Sequence, residues 1–384
     1  MQSLIKNKDN IFDIKKKVEN LDNSLFTYFN INNYAITDKT ISIIMTSSNR
    51  SIQTYMTFNT IMNSKHSDIH IIIVDDSDID PIKKEELYKY PFHIDFISIN
   101  RQNKKWHNPS INYNIGFKFI KGVKVMIQNA EVCHIGDILS YMTNETILDN
   151  HYYVFDVKAS KSFATNDIIY KSNTNTTDIY KNEDLFKIWY QGPTRICNYH
   201  FLTGMTRNTF ELIKNFSYDY AFGSAFDDDD FLLKIKSKNI NIVNIFHDKN
   251  NIGGIHLYHQ ISTKTWNKNK EINDILFNNK LNYYNKNNIY LDISDNYNNF
   301  DIEYNNLNNS NKIEIKINKE SNLLLIQKNI IDSTINSKII NILIDKKDLK
   351  NKNINTFYKC IKKGYCYQNS TIKIPINLIK FSFI

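Results

Sequence analysis

The stretches ISIIMTSSNR (residues 41–50) and IHIIIVDDSD (residues 69–78) determine which fold the chain adopts. Each is a nearly continuous apolar run that ends in polar side chains, and residues 51–64 between the two runs fit a helix. Strands that are apolar on both faces belong to a parallel sheet that helices cover on both sides. The sequence therefore predicts an α/β fold with a mostly parallel sheet.

A third apolar strand is predicted at residues 123–128 (VKVMIQ), after a helix that opens at Asn112 and includes Asn114. This strand runs into Asn129 and Glu131, so polar residues follow three successive strands. Parallel sheets bind ligands beyond the carboxyl ends of their strands, which places a site at this edge. The sequence lacks the Gly-rich patterns of dinucleotide-binding and P-loop proteins, which argues against redox and NTPase chemistry.

The composition restricts the other function classes. The 384 residues carry a formal charge of +8, but the lysines form no basic stripe, so we expect no nucleic-acid partner.

No run reaches the roughly 18 apolar residues that span a bilayer, and the polar start lacks a signal-peptide core. We expect a soluble or cytoplasmic protein with reduced cysteines, the alternative being a Cys360–Cys366 bridge in an oxidising compartment.

Changes of pattern along the chain predict three segments. Residues 1–40 form an extension that contains one amphipathic helix within residues 11–30, and residues 41–288 form the main α/β domain. From residue 289 onward, short β-branched runs alternate with Asn, Lys and Asp turns. This pattern predicts a β-rich C-terminal domain at residues 289–384, all-β and built as a small sandwich.

The sharpest chemical feature is the run of four aspartates from Asp227 to Asp230, between two phenylalanines. Carboxylates at a helix start interact favourably with the helix dipole, but four in a row exceed what a cap needs and repel one another. We therefore expect a functional use of this run. Further along, His256 and His259 lie on a predicted strand at an odd spacing, so we expect only His256 to face the site.

Six motifs follow one another between residues 41 and 260: SIIMTSSNR, IIIVDDSD, NYNIGF, QNAE, FDDDDF and HLYHQ. In this order they resemble the motifs of the family 2 glycosyltransferases. The resemblance implies the GT-A fold and an inverting transfer of a hexosyl or N-acetylhexosaminyl group in glycan or glycoprotein synthesis. The donor would be a nucleotide-sugar, by default a UDP-sugar, and the acceptor a hydroxyl of a glycan or protein.

The resemblance also implies which residues carry the reaction. Asp228 would take the proton of the acceptor hydroxyl, with Asp227 as the next candidate. Asn129-Ala130-Glu131 stands where the family has Asp-x-Asp, so Glu131, together with His256, would hold Mn²⁺ or Mg²⁺ beside the leaving diphosphate. The expected nucleotide-sugar ligands are Thr46, Ser47, Arg50, Asp75, Asp76, Asn114 and Asn129.

The acceptor side is expected in the aromatic segment 189–205 and in the acidic run. Trp189 and Tyr190 would stack on a sugar ring, His200 would bond a hydroxyl or phosphate, and Asp230 would bind an acceptor hydroxyl.

Two other functions are weighed against this one. Sugar nucleotidyltransferases share the sheet architecture, but they carry a Gly-rich, Arg-containing loop after the first strand, and SSNRS at residues 47–51 is not such a loop. Because Asn129 replaces the first metal carboxylate, a catalytically inactive sugar- or protein-binding protein is the other alternative. The intact acidic run argues against that alternative.

Overall fold

The structure is a computed structural model that describes residues 7–144, 147–172, 176–187, 201–260 and 263–295. In the last part of the chain it describes residues 312–317, 323, 339–344, 350–362, 365–366, 369–373 and 379–383. The described residues form two compact units, one up to Asn273 and one from Asp274 onward. Each unit is described by itself.

The strands up to residue 260 are β1 (Phe26–Ile31), β2 (Ile41–Ser47), β3 (Ile69–Asp75), β4 (His93–Ile99), β5 (Lys124–Asn129), β6 (Val132–Ile135), β7 (His151–Phe155), β8 (Val157–Ser160), β9 (Phe186–Lys187), β10 (Leu202–Thr206), β11 (Asn241–Ile245) and β12 (Gly253–His256). The helices up to residue 295 are α1 (Lys8–Glu19), α2 (Ser51–Ile61), α3 (Lys84–Leu87), α4 (Ser110–Phe117), α5 (Ile138–Met142), α6 (Phe163–Lys171), α7 (Thr176–Tyr180), α8 (Arg207–Ile213), α9 (Asp227–Ser237), α10 (His247–Asn250) and α11 (Thr263–Asn287). Short 3₁₀ helices lie at Glu183–Leu185, Tyr218–Tyr220 and Ile293–Asp295.

The large sheet has eight strands in the order β1-β4-β3-β2-β5-β10-β7-β11. The pairs β2/β3, β3/β4, β2/β5 and β7/β11 are parallel. The pairs β1/β4, β5/β10 and β7/β10 are antiparallel. The predicted α/β fold with a mostly parallel sheet is therefore confirmed.

Different helices cover the two faces of this sheet. Ile43 and Ile71 pack in one buried cluster with Phe58 of α2. Ile44 and Ile72 follow them in the chain and point to the opposite face, because strand side chains alternate. There they border Gly116 of α4, whose missing side chain lets the helix approach the strands closely.

The predicted amphipathic helix over residues 11–30 is present only in its first half, as α1, which ends at Glu19. Residues Phe26–Ile31 form β1 instead, because they pair with β4 in the large sheet. Helix α1 buries Ile11, Ile14 and Val18, and it contacts α4. Among the helices that the structure describes, none has the length and apolar character needed to cross a membrane.

A second sheet brings the residues that follow β5 next to His256. Its strand order is β6-β12-β8-β9, and the antiparallel pair β6/β12 places Val132 opposite His256. The backbone N–H of Leu257 also donates to the carbonyl of Glu131 over 2.9 Å. Residues 131–132 and residues 256–257, which are far apart in sequence, thus meet at one point.

The unit of residues 274–384 contains β13 (Lys312–Ile317), β14 (Ile339–Ile344), α12 (Lys352–Lys362), β15 (Tyr365–Cys366), β16 (Asn369–Lys373) and β17 (Ile379–Phe383). Strands β13, β14 and β17 form a three-stranded parallel sheet, and β15 pairs with β16. Cys360 is a free thiol in this structure, and the side chain of Cys366 lies outside the described residues.

The predicted all-β sandwich is wrong for the described part of this unit. Ile354, Phe357 and Ile361 of α12 pack in one buried cluster with Ile340 and Ile342 of the parallel sheet. Their spacing of three and four residues is a helical pattern, which the surrounding β-branched runs obscure in the sequence.

Gly136 is a position where the fold tolerates only glycine. It lies in the left-handed region (φ +67°), and a Cβ would stand 2.2 Å from the carbonyl oxygen of Asn251. Because the left-handed region alone costs other residues about 1–2 kcal/mol, Gly136→Ala should lower the free energy of unfolding by more than about 2 kcal/mol in urea unfolding. The control Asn239→Gly, also at positive φ, should change it by less than about 1 kcal/mol. Equal losses in both variants would contradict this account.

Candidate active site

The carboxyl ends of β2, β3 and β5 meet at one edge of the large sheet. The strand register places Ser47 opposite Asp75 and Thr46 opposite Asn129. Tyr113 of α4 reaches the same edge, where its hydroxyl lies 3.1 Å from Oδ1 of Asn129. The polar strand ends that the sequence indicates are therefore neighbours in space.

Glu131 is the centre of a buried cluster just beyond β5. Its side chain is 1% exposed, and its Oε1 lies 3.3 Å from Nε2 of His256 and 3.6 Å from Nε2 of His259. The same oxygen contacts the guanidinium of Arg50. The other oxygen, Oε2, is buried and accepts no hydrogen bond from any residue that the structure describes.

This cluster fits a divalent cation. The ligand atoms of Glu131, His256 and His259 lie within 4.8 Å of one another. A carboxylate with two imidazoles is a donor set that Mn²⁺ accepts. The orphaned Oε2 is an oxygen that a cation would satisfy, because a buried polar atom without a partner is unfavourable.

The charges in the cluster also suit a cation. Burial by itself raises the pKa of Glu131, but the charge of Arg50 and the hydrogen bond from His256 outweigh burial and hold that pKa well below its usual range. Burial, followed by the charge of Arg50, lowers the pKa of His259 to about 4. At neutral pH the carboxylate is therefore ionised and the His259 ring is neutral, as metal ligands must be.

The expectation that His256 and His259 face opposite ways is wrong. Strand β12 ends at His256, so the alternation of strand side chains does not extend to His259. Beyond the strand, Asn166 of α6 exchanges two hydrogen bonds of 2.9 Å with the backbone of Tyr258. This contact fixes a bend that brings His259 back to Glu131, and the sequence does not show where the strand stops.

A second group of potential ligands, His70, His93 and Asp95, lies in β3 and β4 at the opposite edge of the sheet. Asp95 already accepts hydrogen bonds from the Tyr28 hydroxyl (2.7 Å), the Lys121 ammonium (2.8 Å) and His70 (3.0 Å). Burial raises the pKa of Asp95, but these donors outweigh it and the pKa is lowered. The group is a satisfied structural network, and we assign no metal to it.

Two expected nucleotide-sugar ligands, Ser47 and Asp75, are each 2% exposed and have internal partners. The Ser47 hydroxyl accepts from Thr54 over 3.4 Å. Asp75 accepts from the Ser77 hydroxyl (2.6 Å) and from the backbone N–H of Ile82 (2.9 Å), and burial raises its pKa. Both side chains hold the loops after β2 and β3 in place.

Asp76, in contrast, joins a charged group at the same edge. Arg101 donates to its Oδ1 over 3.1 Å, the Lys104 ammonium contacts its Oδ2, and the Asn112 amide lies 3.3 Å away. Arg101 is 41% exposed. Asp76 is itself 5% exposed and bonded by these donors, so the exposed Arg101 is the group that can reach a ligand at the mouth of the sheet.

The acidic run begins helix α9, and its first carboxylate faces the site. Asn108 donates to Oδ1 of Asp227 over 3.2 Å. Asn108 lies just before α4, and Tyr113 of α4 contacts Asn129 at the end of β5. Burial raises the pKa of Tyr113, and the charges of Glu131 and Asp227 raise it further.

The pKa of Asp227 is raised to about 7 by burial and by the charge of Asp228. Asp228 itself accepts from the backbone N–H of Asp229 over 3.0 Å, and its charge acts on Tyr152 beneath the run. Asp227 thus combines a contact with Asn108 and a raised pKa, and a general base needs a pKa near neutrality.

Two expected contacts are corrected by the structure. Asn114 is 1% exposed, and its amide exchanges hydrogen bonds of 2.9 and 2.8 Å with the backbone of Phe216, so no group is left for a nucleotide. Asp230 is also 1% exposed and accepts from the Tyr220 hydroxyl over 3.1 Å, so it cannot reach an acceptor. In both cases helix periodicity turns the side chain inward.

The aromatic acceptor contacts Trp189, Tyr190 and His200 lie outside the described residues. The site residues that sequence reasoning missed are Arg101, Lys104, Asn108, Asn112, Tyr113 and His259. Five of these six lie in RQNKKWHNPSINY (residues 101–113). The many polar residues just before and within the NYNIGF motif could have indicated from the sequence that this segment contributes to the site.

No protein-family model matches the chain, and no curated protein sequence matches it either. Among solved structures, the chain is similar to S. aureus TarS, with 11% identity over 64% of this chain and 40% of that chain, at a TM-score of 0.44. The chain thus spans about 40% of the length of TarS.

Two further solved structures are similar. The mannosyltransferase PcManGT from Pyrobaculum calidifontis, in complex with GDP-Man and Mn²⁺, has 10% identity over 80% of each chain and a TM-score of 0.36. GalNAc-T7 with UDP, GalNAc and Mn²⁺ has 10% identity over 76% of this chain and 56% of that chain, at a TM-score of 0.41. Because these scores are low, we base the proposed function on the residues of this chain.

The raised pKa of Asp227 has a consequence for stability. In the folded protein the Asp227 carboxyl keeps its proton up to about pH 7, whereas in the unfolded chain it loses that proton near about pH 4. Rising pH between these values therefore favours the unfolded state. Asp227→Asn cannot titrate, so its stability relative to the parent should increase from pH 4.5 to about 7 and then level off, measured by urea unfolding.

Asp149→Asn is the control for this measurement. Hydrogen bonds from Asn208 and Thr206 lower the pKa of Asp149. The ionised Asp149 carboxylate therefore makes its full contribution to the free energy of unfolding above about pH 5. The stability difference between Asp149→Asn and the parent should therefore stay constant from pH 5 to 8. A constant difference for Asp227→Asn as well would show that Asp227 titrates normally.

Proposed function

We propose that this chain is an inverting glycosyltransferase, which moves a sugar from a nucleotide-sugar to a hydroxyl of a glycan or protein. The observation that carries the proposal is the pairing, around Tyr113, of a buried cation-binding cluster at Glu131 with a carboxylate of raised pKa at Asp227. Glycosyl transfer needs both groups: a positive site for the leaving diphosphate and a base for the acceptor hydroxyl.

The reaction is a single displacement. The Asp227 carboxylate takes the proton of the acceptor hydroxyl as the oxygen forms a bond to the anomeric carbon. The bond from that carbon to the phosphate oxygen breaks, and its electron pair leaves with the nucleoside diphosphate. Attack and departure on opposite sides invert the configuration at the anomeric carbon.

Glu131, His256 and His259 would hold Mn²⁺ or Mg²⁺, which supplies charge stabilisation for the departing diphosphate when bound. Arg50 is 28% exposed beside the same carboxylate, and its guanidinium is suited to bind a phosphate oxygen. Asn129 is held by Tyr113 and adds a neutral amide in place of a charged ligand. His256 and His259 would supply ligands in place of the lost first carboxylate of the motif, and Arg50 would add positive charge beside the diphosphate.

The nucleoside of the donor would bind beside Asp76, Arg101 and Lys104, with Thr46 at the adjoining strand end. Asp76 accepts hydrogen bonds there, and the two basic side chains suit an anionic ligand. A UDP-sugar is the default donor, by the resemblance of the sequence motifs.

We place the base at Asp227, although the sequence resemblance assigns it to Asp228. Asp227 borders Tyr113 at the site and has a pKa of about 7, whereas Asp228 bonds the backbone of its own helix. In this arrangement Asp228 raises the pKa of its neighbour, because two adjacent carboxylates do not ionise independently.

The donor and metal sites can be tested by thermal shift. UDP, GDP and dTDP, and their sugars, should be screened with and without Mn²⁺; a ligand at about 100 times its Kd stabilises by about 2.7 kcal/mol. Glu131→Gln and His259→Ala should remove the Mn²⁺-dependent part of the shift, and the control His151→Ala, at the start of β7, should retain it. A screen in which no nucleotide shifts the parent would rule out the proposed donor class.

The base can be tested with the nucleotide-sugar that gives the largest shift, by following release of nucleoside diphosphate. Parent activity should rise with pH through about 7, because the base must be deprotonated. Asp227→Asn should lower kcat about 10²–10⁴-fold without weakening donor binding. Asp228→Asn should remain active, with the midpoint of its pH profile moved down.

The reverse pattern, an inactive Asp228→Asn and an active Asp227→Asn, would assign the base to Asp228. Donor binding without turnover in the parent, over a panel of glycan and peptide acceptors, would favour the alternative of an inactive sugar-binding protein.

A further inference from the structure

The turn that leads into the acidic helix has an unfavourable backbone. Ala225 (φ +61°) and Phe226 (φ +64°) are consecutive non-glycine residues in the left-handed region. That region brings the Cβ of an L-residue too close to the following carbonyl oxygen. Two such residues in succession persist only where surrounding contacts hold them, and the next residue in the chain is Asp227.

One buried amide supplies such contacts. Asn273 of α11 is 0% exposed, and its Nδ2 donates to the carbonyl oxygen of Ala225 over 2.9 Å. The same nitrogen lies 3.4 Å from the carbonyl oxygen of Tyr220. Asn273 therefore joins the beginning and the end of the turn.

The turn is shaped to admit this amide. A Cβ at Gly223 would stand 2.1 Å from Oδ1 and 2.7 Å from Nδ2 of Asn273. Any side chain at position 223 would therefore displace the Asn273 amide. Gly223 is not in the left-handed region, so its backbone conformation does not require glycine. Glycine at this position instead leaves the space that the Asn273 amide occupies.

The same face of α11 makes two more contacts with the turn. The backbone N–H of Ser224 donates to the carbonyl of Asn269 over 3.2 Å, and the Lys270 ammonium lies 5.6 Å from the centre of the Phe226 ring. Residues 269, 270 and 273 are neighbours on one helix surface. These contacts help to align the helix, and Asn273 bonds the strained carbonyl itself.

We propose that Asn273 is a positioning residue, whose amide holds the left-handed turn at Ala225 and Phe226 and thereby sets the direction of the Asp227 carboxylate. The inference rests on the proposed function in that Asp227 is the base. The chain that supplies His256 and His259 continues into α11, so one segment serves both the cation cluster and the base.

The first test asks whether Asn273 holds the turn, and it needs no substrate. Asn273→Ala should increase amide hydrogen exchange about 10-fold or more in a peptide of residues 220–230, where Gly223, Ser224 and Asp230 donate backbone hydrogen bonds. Asn278→Ala is the matched control, because its amide bonds Asp274 within the same helix. Unchanged exchange in Asn273→Ala would overturn the proposal.

The second test asks whether the turn sets the surroundings of Asp227. Asp228 and Asp229 are the charged neighbours that act on Asp227, and Asn108 is its hydrogen-bond donor. In the parent, Asp227→Asn changes stability in a pH-dependent way. When Asn273→Ala is present as well, the effect of Asp227→Asn on stability should no longer depend on pH. If Asn273 were merely structural, Asn273→Ala would lower stability equally at every pH, and the effect of Asp227→Asn would still depend on pH.

A rescue separates the turn from general packing. Glycine adopts the left-handed region without strain, so Ala225→Gly added to Asn273→Ala should restore both the slow exchange and the pH dependence. Failure of this rescue would contradict the proposal. If Asn273→Ala does not fold, Gly223→Ala displaces the same amide from the opposite side, and it should produce the same loss and the same rescue.

Turnover distinguishes this inference from the proposed function. With a nucleotide-sugar that the parent uses, Asn273→Ala should lower kcat about 10²-fold while the thermal shift by UDP with Mn²⁺ stays unchanged. A parent without turnover would remove the proposed function, and the exchange and pH measurements would still decide whether Asn273 holds the turn. Full activity in Asn273→Ala would overturn the positioning role.

Discussion

The parallel pairing of β2 with β3 and β5 is the constraint on which the site depends. Its register places Thr46 opposite Asn129 and Ser47 opposite Asp75, so the three strands end together. Parallel strands require crossover helices, and α2 and α4 supply them on opposite faces of the sheet. A shift of one residue in any of these strands would move its side chains to the opposite face of the sheet and separate the polar ends.

Around this edge, burial decides what each polar side chain can do. Glu131 is ionised although buried, because Arg50 and His256 outweigh desolvation. Burial and the charge of Asp228 raise the pKa of Asp227 to about 7, and no cation of the described residues is among the main causes of that shift. Asp95 is also buried and ionised, but it is surrounded by donors that leave no oxygen for a ligand. Carboxylates at this sheet thus differ in charge and in unpaired oxygens according to their neighbours.

Much of this arrangement could be predicted from residues that are close in sequence. Apolar runs that end in polar residues predict the strands and the edge at which Asn129 and Glu131 lie, and the acidic run at a helix start predicts a functional carboxylate. Predictions that needed the direction of a side chain did less well. Asn114 and Asp230 point inward, and His259 points to Glu131, because helix phase and the end of β12 depend on packing against distant elements.

By itself, the sequence determined the α/β class of the main domain, the edge of the sheet that carries the site and the residue types available there, because strand period and local propensity are written in neighbouring residues. Only the tertiary structure decided which of those residues converge. Glu131 meets His259, Asn108 bonds Asp227, and Asn273 bonds the turn at Ala225, each across tens of residues. Such contacts follow from how the sheets and helices pack, since hydrogen-bond geometry and burial arise only when distant segments come together.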